Sequence, residues 1–356
     1  MKLKYIQSAL KWISGASALL LMPFVSSCES VYDDQGDCDP HYYLKFVYDM
    51  NMLTNVNNKI GADAFSSQVG SVEVHIFNKE TGEYVGRYAD QGEALSQPGY
   101  RMPLDIAPGD YDIIAWCGLA DNADHFKLTS PSVTQHSDLK VKMHRDYDGE
   151  KAYNDFNLNP LFHGTLSVSL PEEEGNYEYT VYLTKDTNYI ELALQHRSGA
   201  IDPDRFTISM IDDNGHLGHD NALLEDEPVE FRPWLVSGGE VDMDLGSRAD
   251  GDSQSGTGFL LAELATSRLM VNHNPKLTVT DNETGNTVFS IPMVEWALLF
   301  KSARHSAMGD QEYLDREYEY NVMVILENDE TVNEGWIAAE IVINGWHVVN
   351  NGNVGL

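Results

Sequence analysis

The sequence predicts an all-β protein built from antiparallel β-sandwiches. Three observations lead to this fold class. Apolar and polar residues alternate with a period of two in many segments after residue 40, runs of Gly, Asp, Asn and Pro separate these segments, and helical periodicity is sparse. An α/β fold needs long helices between its strands, and no such pattern occurs. Hydrophobic residues make up 42% of the chain, which suits a protein that buries a core.

The first predicted strand places Tyr42, Leu44, Phe46 and Tyr48 on one face. The same alternation then recurs at short intervals, as expected for sandwiches of short strands. The later predicted strands cover Val72–Ile76, Met102–Ile106, Tyr111–Ala115, Leu139–Met143, Phe162–Leu170, Tyr177–Leu183, Ile190–Leu194, Phe206–Met210, Leu277–Val279, Val288–Ile291, Tyr318–Leu326 and Ile337–Ile343.

Two segments have a helical pattern, Val294–Ser302 and Asp310–Arg316, and both are short. Two others, Asn78–Gly82 and Asp281–Gly285, follow strand patterns and end in Thr-Gly. We expect hairpin turns there, with glycine at the position that needs positive φ. The repetition agrees with two domains of one type, but also with chance, because such turns are common.

A domain boundary is predicted at residues 155–162. The segment Asn154–Asn159 is polar and rich in turn-forming residues, and Pro160 ends it. We therefore expect an N-terminal β-sandwich over residues 40–160 and a C-terminal β-sandwich over residues 161–356.

The N-terminus has the features of a bacterial export signal. Residues 1–27 contain three lysines and no acidic residue, and an apolar stretch runs from Trp12 to Val25. The stretch is shorter than the ~20 apolar residues that a transmembrane helix needs. Because Val25-Ser26-Ser27-Cys28 resembles a lipobox, we expect cleavage before Cys28 and acylation of its thiol and its new amino group. The alternative is an ordinary signal peptide with an incidental cysteine.

Residues 28–39 are predicted to form a flexible acidic tether. They include Glu29, Asp33, Asp34 and Asp37. Acidic residues directly after a lipidated cysteine resemble a surface-export signal of some Gram-negative lipoproteins, and a plain solvated linker is the alternative. Several acyl chains would anchor the protein to the membrane without spanning it.

The two other cysteines, Cys38 and Cys117, are candidates for a disulfide bond. An exported protein reaches an oxidising compartment, where such a pair can form. Two unpaired buried thiols are the alternative.

The charge balance excludes some classes of partner. The chain has 23 Lys and Arg against 56 Asp and Glu, a formal charge of −33. A surface that negative repels nucleic acid and anionic lipid headgroups. We therefore expect no nucleic-acid partner and no membrane binding through a basic patch.

Motifs of catalysis are missing from the sequence. H-E-x-x-H, G-x-S-x-G, a phosphate-binding loop and paired C-x-x-C do not occur. His216 and His219 lie near Asp212, Asp213 and Asp220, but the glycines between them favour a polar loop over a metal site. We therefore expect no catalytic residue, no metal and no cofactor.

One aromatic residue does not follow the strand alternation. Trp234 lies between Pro233 and Gly238, outside the predicted strands, so a role in ligand binding stays open for it. The other aromatic residues fall mostly on alternating strand faces, where core packing is the simpler interpretation.

Several segments, taken in their order along the chain, resemble the anchoring-subunit family of the minor fimbrium. The members of this family are lipoproteins of type V fimbriae. The most specific segment is Gln311–Asn321, and the chain closes with Ile343–Trp346. The resemblance spans roughly residues 40–350 and is weakest at 120–160. The other matching segments are Phe46–Met52, Ala64–Phe65, Val72–Phe77, Tyr100–Leu104, Pro108–Tyr111, Trp116–Leu119, Leu161–Gly164, Asp212–Gly215, Pro233–Trp234, Thr266–Leu269 and Phe289–Pro292.

This resemblance implies two transthyretin-like β-sandwich domains in tandem and a structural role at the base of a fimbrium. The lipid on Cys28 would attach the fibre to the outer membrane, and the protein would face the cell surface and limit fibre length. The resemblance also implies that other fimbrial subunits are the partners, joined by strand addition. The tail, Trp346–Leu356, is either a donor strand or a frayed terminus.

A surface lipoprotein that captures glycans is the alternative function, because it too would be all-β and tethered. It would need exposed aromatic residues along a groove. An enzyme with a pair of carboxylates is a third hypothesis, and the many acidic residues give no way to select such a pair.

Overall fold

The computed structural model describes residues 39–121, 124–196, 201–241, 257–301, 305–329, 335–344 and 346–349. The predicted signal peptide, residues 1–27, lies outside these residues, and so does the predicted tether apart from Asp39. Within the described ranges, no helix combines the length and the apolar character needed to cross a membrane.

Strands account for most of the regular structure. The first twelve are β1 His41–Val47, β2 Ser71–Asn78, β3 Tyr84–Gln91, β4 Met102–Leu104, β5 Gly109–Cys117, β6 Phe126–Leu128, β7 Val141–Met143, β8 Asp146–Asp148, β9 Lys151–Asn154, β10 Phe162–Leu170, β11 Asn176–Tyr182 and β12 Thr184–Lys185. The others are β13 Thr187–His196, β14 Phe206–Asp212, β15 His216–Leu217, β16 Val229–Phe231, β17 Leu235–Val241, β18 Thr257–Ser267, β19 Lys276–Asp281, β20 Thr287–Pro292, β21 Glu319–Asp329, β22 Gly335–Ile343 and β23 Trp346–Val349.

Three short α-helices and two 3-10 helices complete the described elements. The α-helices are α1 Phe65–Gln68, α2 Met293–Leu299 and α3 Asp310–Arg316, and the 3-10 helices are His136–Asp138 and Pro203–Arg205. The helices α2 and α3 confirm the two predicted helical segments, with α2 ending three residues early. The predicted all-β fold class is confirmed as well. Most strand pairs are antiparallel, and three are parallel: β1 with β11, β13 with β21, and β16 with β9.

Two sheets enclose what we call the first core. The sheet β11-β1-β4 faces the sheet β12-β10-β5-β2-β3. The predicted face of β1 is buried throughout, with Tyr42, Leu44, Phe46 and Tyr48 each at most 2% exposed. The alternation of apolar side chains therefore turns one face of β1 toward this core, and β1 lies between β11 and β4 in the smaller sheet.

Two six-stranded sheets enclose the second core. Their strand orders are β17-β18-β13-β21-β22-β23 and β20-β19-β14-β16-β9-β8. Apolar residues from both sheets, such as Leu192, Val322 and Met210, form one buried cluster with α2 and α3. A small sheet, β15-β7-β6, packs its apolar side chains into the same cluster.

The chain passes between the two cores more than once. Strands β6–β9 precede Pro160 but contribute to the second core, and β10–β12 follow Pro160 but belong to the sheets of the first. The ranges 40–160 and 161–356 therefore do not each correspond to one core. The division into separately folding domains stays a prediction.

Strand β5 is buried on both faces, which its sequence reflects. Residues 113–117 are all buried. Ile113, Ala115 and Cys117 face the first core, whereas Ile114 and Trp116 pack in the second cluster. When both faces of a strand are covered, its sequence is a continuous run of apolar residues and does not alternate with polar ones.

The predicted hairpin turns are confirmed. Gly82 and Gly285 both have φ of +72°, and their amides donate to the carbonyls of Asn78 and Asp281 at 2.8 and 2.7 Å. At the C-terminal end, Trp346–Val349 pairs with β22 of the same chain. The tail beyond Val349 lies outside the described residues.

Candidate functional site

A network of charged and polar side chains joins the first core to the second. On the second core, α3 ends in Arg316, whose Nε pairs with Glu312 at 3.0 Å. The Nη1 atom of Arg316 donates to the backbone carbonyls of Asp49 and Asn51, which follow β1, at 2.8 and 3.4 Å. A planar guanidinium can make these bonds at once because its donors form a fixed fork.

Lys185 lies in the same network and is only 4% exposed. Its ammonium sits 3.5 Å from the centre of the Tyr318 ring and donates to Gln68 Oε1 at 3.4 Å. Burial lowers the pKa of Lys185 to about 7, and the Glu319 carboxylate partly opposes this shift. Gln68 belongs to α1 of the first core, and its Nε2 donates to the Tyr318 hydroxyl at 3.1 Å.

The next residue, Asp186, is completely buried. Burial raises the pKa of its carboxyl to about 7, although the Arg268 guanidinium and a hydrogen bond from Asn221 act in the opposite direction. The Asn221 side chain donates to Asp186 Oδ1 at 2.8 Å, and Arg268 Nε lies 4.0 Å from the same oxygen.

Arg268 makes a two-pronged ion pair with Asp315 of α3. Its Nε and Nη2 atoms lie 2.8 and 2.7 Å from the two carboxylate oxygens. The side chains of Arg268 and Asp315 are 12% and 9% exposed. Because both charges are largely withdrawn from water, the removal of either one leaves the other poorly compensated.

Segments that resemble the fimbrial family converge on this network. Asn214, from Asp212–Gly215, donates to the carbonyls of Ser267 and Arg268 at 3.2 and 3.0 Å. His163, from Leu161–Gly164, donates through Nε2 to the carbonyl of His219 at 2.8 Å. Burial lowers the pKa of His163 to about 4, so the imidazole is neutral at pH 7.

This arrangement holds two cores in register. Arg316 and Arg268 pair with carboxylates, the amides of Gln68 and Asn221 bond to side chains, and the amide of Asn214 bonds to the backbone. Such a network fixes geometry in a way that a purely apolar contact does not, because each hydrogen bond has one direction. Sequence reasoning missed Lys185 and Asp186, which fall in the gap between two strand patterns. The Gln311–Asn321 segment, which carries the most specific part of the resemblance, contains Asp315 and Arg316 and was the signal that could have found the site.

The predicted lipid site, Cys28, lies outside the described residues. Cys38 of the predicted disulfide does so too, and Cys117 is completely buried at the end of β5. Burial raises the pKa of the Cys117 thiol. The pairing itself stays a prediction.

Strand register weighs against that disulfide. Cys117 pairs with Phe162 at one end of β10, whereas His41 lies beside Gly175 and Tyr42 beside Pro171, past the other end. These ends are about 25 Å apart at ~3.4 Å per residue. Cys38 precedes His41 by three residues, which reach ~10 Å at most, and a disulfide needs Cα atoms within about 7 Å.

The structure separates the histidines from the aspartates that were considered as metal ligands. His219 stacks on His136, and His216 contacts the carbonyl of Glu225 at 3.3 Å. Asp212 and Asp213 instead meet His273, whose Nδ1 lies 2.9 and 3.0 Å from their Oδ1 atoms. Trp234 is half-buried against the second core, and its amide donates to the Glu263 carbonyl at 2.9 Å.

Most of the chain matches a known protein family. The model of a family described as fimbrillin-A associated anchor proteins Mfa1 and Mfa2 matches residues 35–352. Comparison with curated proteins gave no significant match.

Several solved structures are similar to this chain. A proposed adhesin from Bacteroides thetaiotaomicron is 32% identical, with a TM-score of 0.71 over 88% of this chain and 99% of that one. Proposed polysaccharide-binding proteins from the same species are 29% identical, with a TM-score of 0.69 over the same shares. The fimbrial anchor protein Mfa2 from Porphyromonas gingivalis is 16% identical, with a TM-score of 0.62 over 88% and 99%, and it supports the fold alone.

Proposed function

This chain belongs to the family of fimbrillin-A associated anchor proteins, and we propose that it is a lipid-anchored subunit that attaches a fimbrium to the outer membrane. One observation carries the proposal: the family match over residues 35–352 begins seven residues after Cys28, the last residue of the lipobox-like segment Val25–Cys28. Lipid attachment, location at the base of the fibre and control of fibre length are the parts that we propose.

The anchor would work through the lipid and the tether. Acyl chains on Cys28 would insert into the outer membrane, each buried CH2 contributing ~0.8 kcal/mol. Residues 28–39 would then separate the folded part from the bilayer. The negative charge of the chain repels anionic headgroups, so the folded part would stand away from the surface.

We propose that other fimbrial subunits join this one by strand addition. Edge strands such as β17 and β23 have one neighbour in their sheet among the described residues. An edge of that kind offers a row of backbone donors and acceptors to a strand from another chain. The network around Arg316 and Arg268 supports this role, because a subunit that carries load along a fibre needs its two cores fixed together.

A structural role of this kind needs no catalysis. The family consists of anchor and adhesin proteins, and we propose that this chain likewise has no enzymatic activity and acts without a cofactor.

Glycan capture is the second candidate function. This candidate is supported by the solved structure that is 29% identical to this chain, because that structure is described as one of proposed polysaccharide-binding proteins. Retarded migration of the protein in a gel that contains polysaccharide would favour this candidate.

The lipid is tested with the Cys28→Ala variant in cells supplied with labelled palmitate. We expect label and outer-membrane fractionation for the wild-type protein, and loss of both for the variant. Label on the variant, or its unchanged fractionation with the outer membrane, would overturn lipid anchoring through Cys28. The anchoring role itself is tested by the distribution of fimbriae between cells and medium in a strain that lacks this chain.

A further inference from the structure

A cavity of about 400 Å³ lies on the face of the β17-β18-β13-β21 part of the sheet, beside the charged junction, because the Lys185 ammonium lies 5.0 Å from the ring of Tyr189, one of its lining residues. Its walls combine aromatic rings with carboxylates. Trp234 and Tyr189 supply the rings, and Glu191, Glu263 and Glu319 supply the acids. We call this the acidic aromatic cavity. None of the described residues that line it is Lys, Arg or His.

Two of the carboxylates stand directly opposite each other. Glu191 of β13 pairs with Glu263 of β18 in the antiparallel register, so the two side chains share a face. Side chains opposite each other have Cβ atoms ~5 Å apart, and like charges in that position destabilise a sheet. Glu319 and Asn321 lie on the same face of the next strand, β21, opposite Tyr189 and Glu191.

The described residues do not neutralise this charge with an ion pair. No base among them lies within 4.0 Å of the carboxylates of Glu191, Glu263 or Glu319. Lys185 is the base that interacts with Glu319 electrostatically, but its ammonium lies 3.5 Å from the centre of the Tyr318 ring and 5.0 Å from that of Tyr189, and Lys185 does not line the cavity. Among the described residues, no ion pair therefore offsets the repulsion between the carboxylates of Glu191 and Glu263.

The arrangement suits an organic cation better than a metal ion. Ligands of one metal converge on a point, and among the described residues the acids of this cavity do not form such a group, whereas Asp212, Asp213 and His273 do. Acids spread around aromatic rings instead match an ammonium or a guanidinium, which pairs with carboxylates and stacks on ring faces.

The rim of the cavity points to a protein as the source of that cation. Trp234 directly precedes the edge strand β17, where Leu235 and Val236 are 42% and 44% exposed. Leu235 is the register partner of Glu263, so exposed apolar surface adjoins the acids. Aromatic residues such as Trp234 are enriched in protein–protein contacts, and arginine is enriched among the residues that dominate binding there, so a cationic side chain of a partner protein suits this rim.

We propose that the acidic aromatic cavity binds a lysine or arginine side chain of a partner protein. The carboxylates of Glu191 and Glu263 would hold the cation, and the rings of Trp234 and Tyr189 would cover it. Binding would relieve the repulsion between the two glutamates. This inference goes beyond the anchoring role and does not depend on the lipid.

The test measures binding of short peptides to the purified protein by calorimetry at low ionic strength. One peptide carries a single lysine, one a single arginine, and one a norleucine of similar length without charge. We expect the two cationic peptides to bind and the norleucine peptide to bind at least ten times more weakly. Equal binding of all three would overturn the proposal.

A strongly acidic protein attracts any cation, so the variants must be matched in charge. The double variant Glu191→Gln and Glu263→Gln should lose at least tenfold in affinity for the cationic peptides. The control, Glu173→Gln and Glu174→Gln, removes two exposed charges from the turn before β11 and should change affinity less than twofold. Equal losses in both pairs would mean general charge attraction only and would overturn the proposal.

Thermal unfolding gives a second readout, which also shows that the variants fold. Relief of the repulsion should raise the midpoint of Glu191→Gln by about 1–2 °C over Glu173→Gln, and the lysine peptide should raise the midpoint of the wild type but not of the double variant. Trp234→Ala should weaken the cationic peptides too. Binding of a neutral oligosaccharide that needs Trp234, without binding of the cationic peptides, would overturn the proposal in favour of a sugar site.

Discussion

Arg316 of the second core donates a hydrogen bond from Nη1 to the backbone carbonyl of Asp49, which follows the first strand of the first core, at 2.8 Å. The two residues are 267 positions apart in the chain. The bond crosses the junction where Lys185 and Gln68 also meet. These polar contacts add to the apolar packing of Ile114 and Trp116 of β5 in the second cluster, and together they fix the orientation of one core on the other.

The variant Arg316→Lys should weaken this junction. Lysine keeps the charge but cannot reach Glu312 and the carbonyls of Asp49 and Asn51 together. We expect a loss of about 1–3 kcal/mol in the free energy of unfolding, measured by urea denaturation, because hydrogen bonds from a charged donor to largely buried carbonyls are lost.

Arg87→Lys is the matched control. Arg87 lies on the edge strand β3 and pairs with Glu73 of β2, and the Arg87 side chain is 51% exposed. An exposed pair contributes about 0–1 kcal/mol, so this control should change stability little. Equal effects of the two substitutions would contradict the role given to Arg316.

The Arg268–Asp315 pair should show strong coupling. Asp315→Ala leaves the buried guanidinium of Arg268 with the carbonyl of Asn221 at 3.1 Å and, as its nearest carboxylate, the more distant Asp186, and we expect a loss of about 3–5 kcal/mol in the free energy of unfolding. In a double-mutant cycle with Arg268→Met, the two losses should be far from additive. Additive losses would show that the two side chains do not act as a pair.

Asp186→Asn should change how stability depends on pH. The pKa of Asp186 is about 7 in the folded protein, against ~3.9 when unfolded. The Asp186 carboxyl therefore loses its proton at a higher pH in the folded state than in the unfolded state. Its contribution to the free energy of unfolding falls as pH rises from about 4 to about 7. The variant lacks that loss.

The comparison is made between pH 5 and pH 8 on the wild type and the variant. The stability of Asp186→Asn relative to the wild type should improve by about 3 kcal/mol over that interval. Asp146→Asn, at a half-exposed aspartate that pairs with His144, is the control and should show a much smaller change. A pH-independent difference for Asp186→Asn would contradict the raised pKa.

Cys117 should be a free, protected thiol. A thiol-alkylating reagent should leave it unmodified in the folded protein and label it after denaturation without reductant, as read by peptide mass spectrometry. Burial and the raised pKa both slow alkylation, because the thiolate is the reacting form. A linked Cys38–Cys117 peptide would contradict the register argument and restore the predicted disulfide.

Local pattern predicted much of this fold. The alternation in Tyr42–Tyr48, the helical segment Asp310–Arg316 and the Thr-Gly turns at Gly82 and Gly285 all occur as expected, because each depends on neighbours in sequence. Strand β5 departs from simple alternation, since layers on both sides bury Ile114 and Trp116 as well as Ile113.

The alternation of apolar and polar residues did not predict which strands pair with one another over long distances in the chain. Nothing local shows that β11 joins β1 in parallel or that β6–β9 belong with the second core. The site shows the same limit. Lys185 and Asp186 are unremarkable in sequence, and their shifted pKa values arise from burial by segments far apart in the chain.

The most direct test of the central claim is the share of fimbrial protein in the cell-free medium of a strain that lacks this chain. Immunoblots of cells and medium, with electron microscopy of fibre length, give the readout. We predict that fimbriae become longer and move into the medium, that the wild-type gene restores short, cell-bound fibres, and that Cys28→Ala does not. Unchanged cell-bound fibres in the deletion strain would contradict the anchoring role and favour glycan capture.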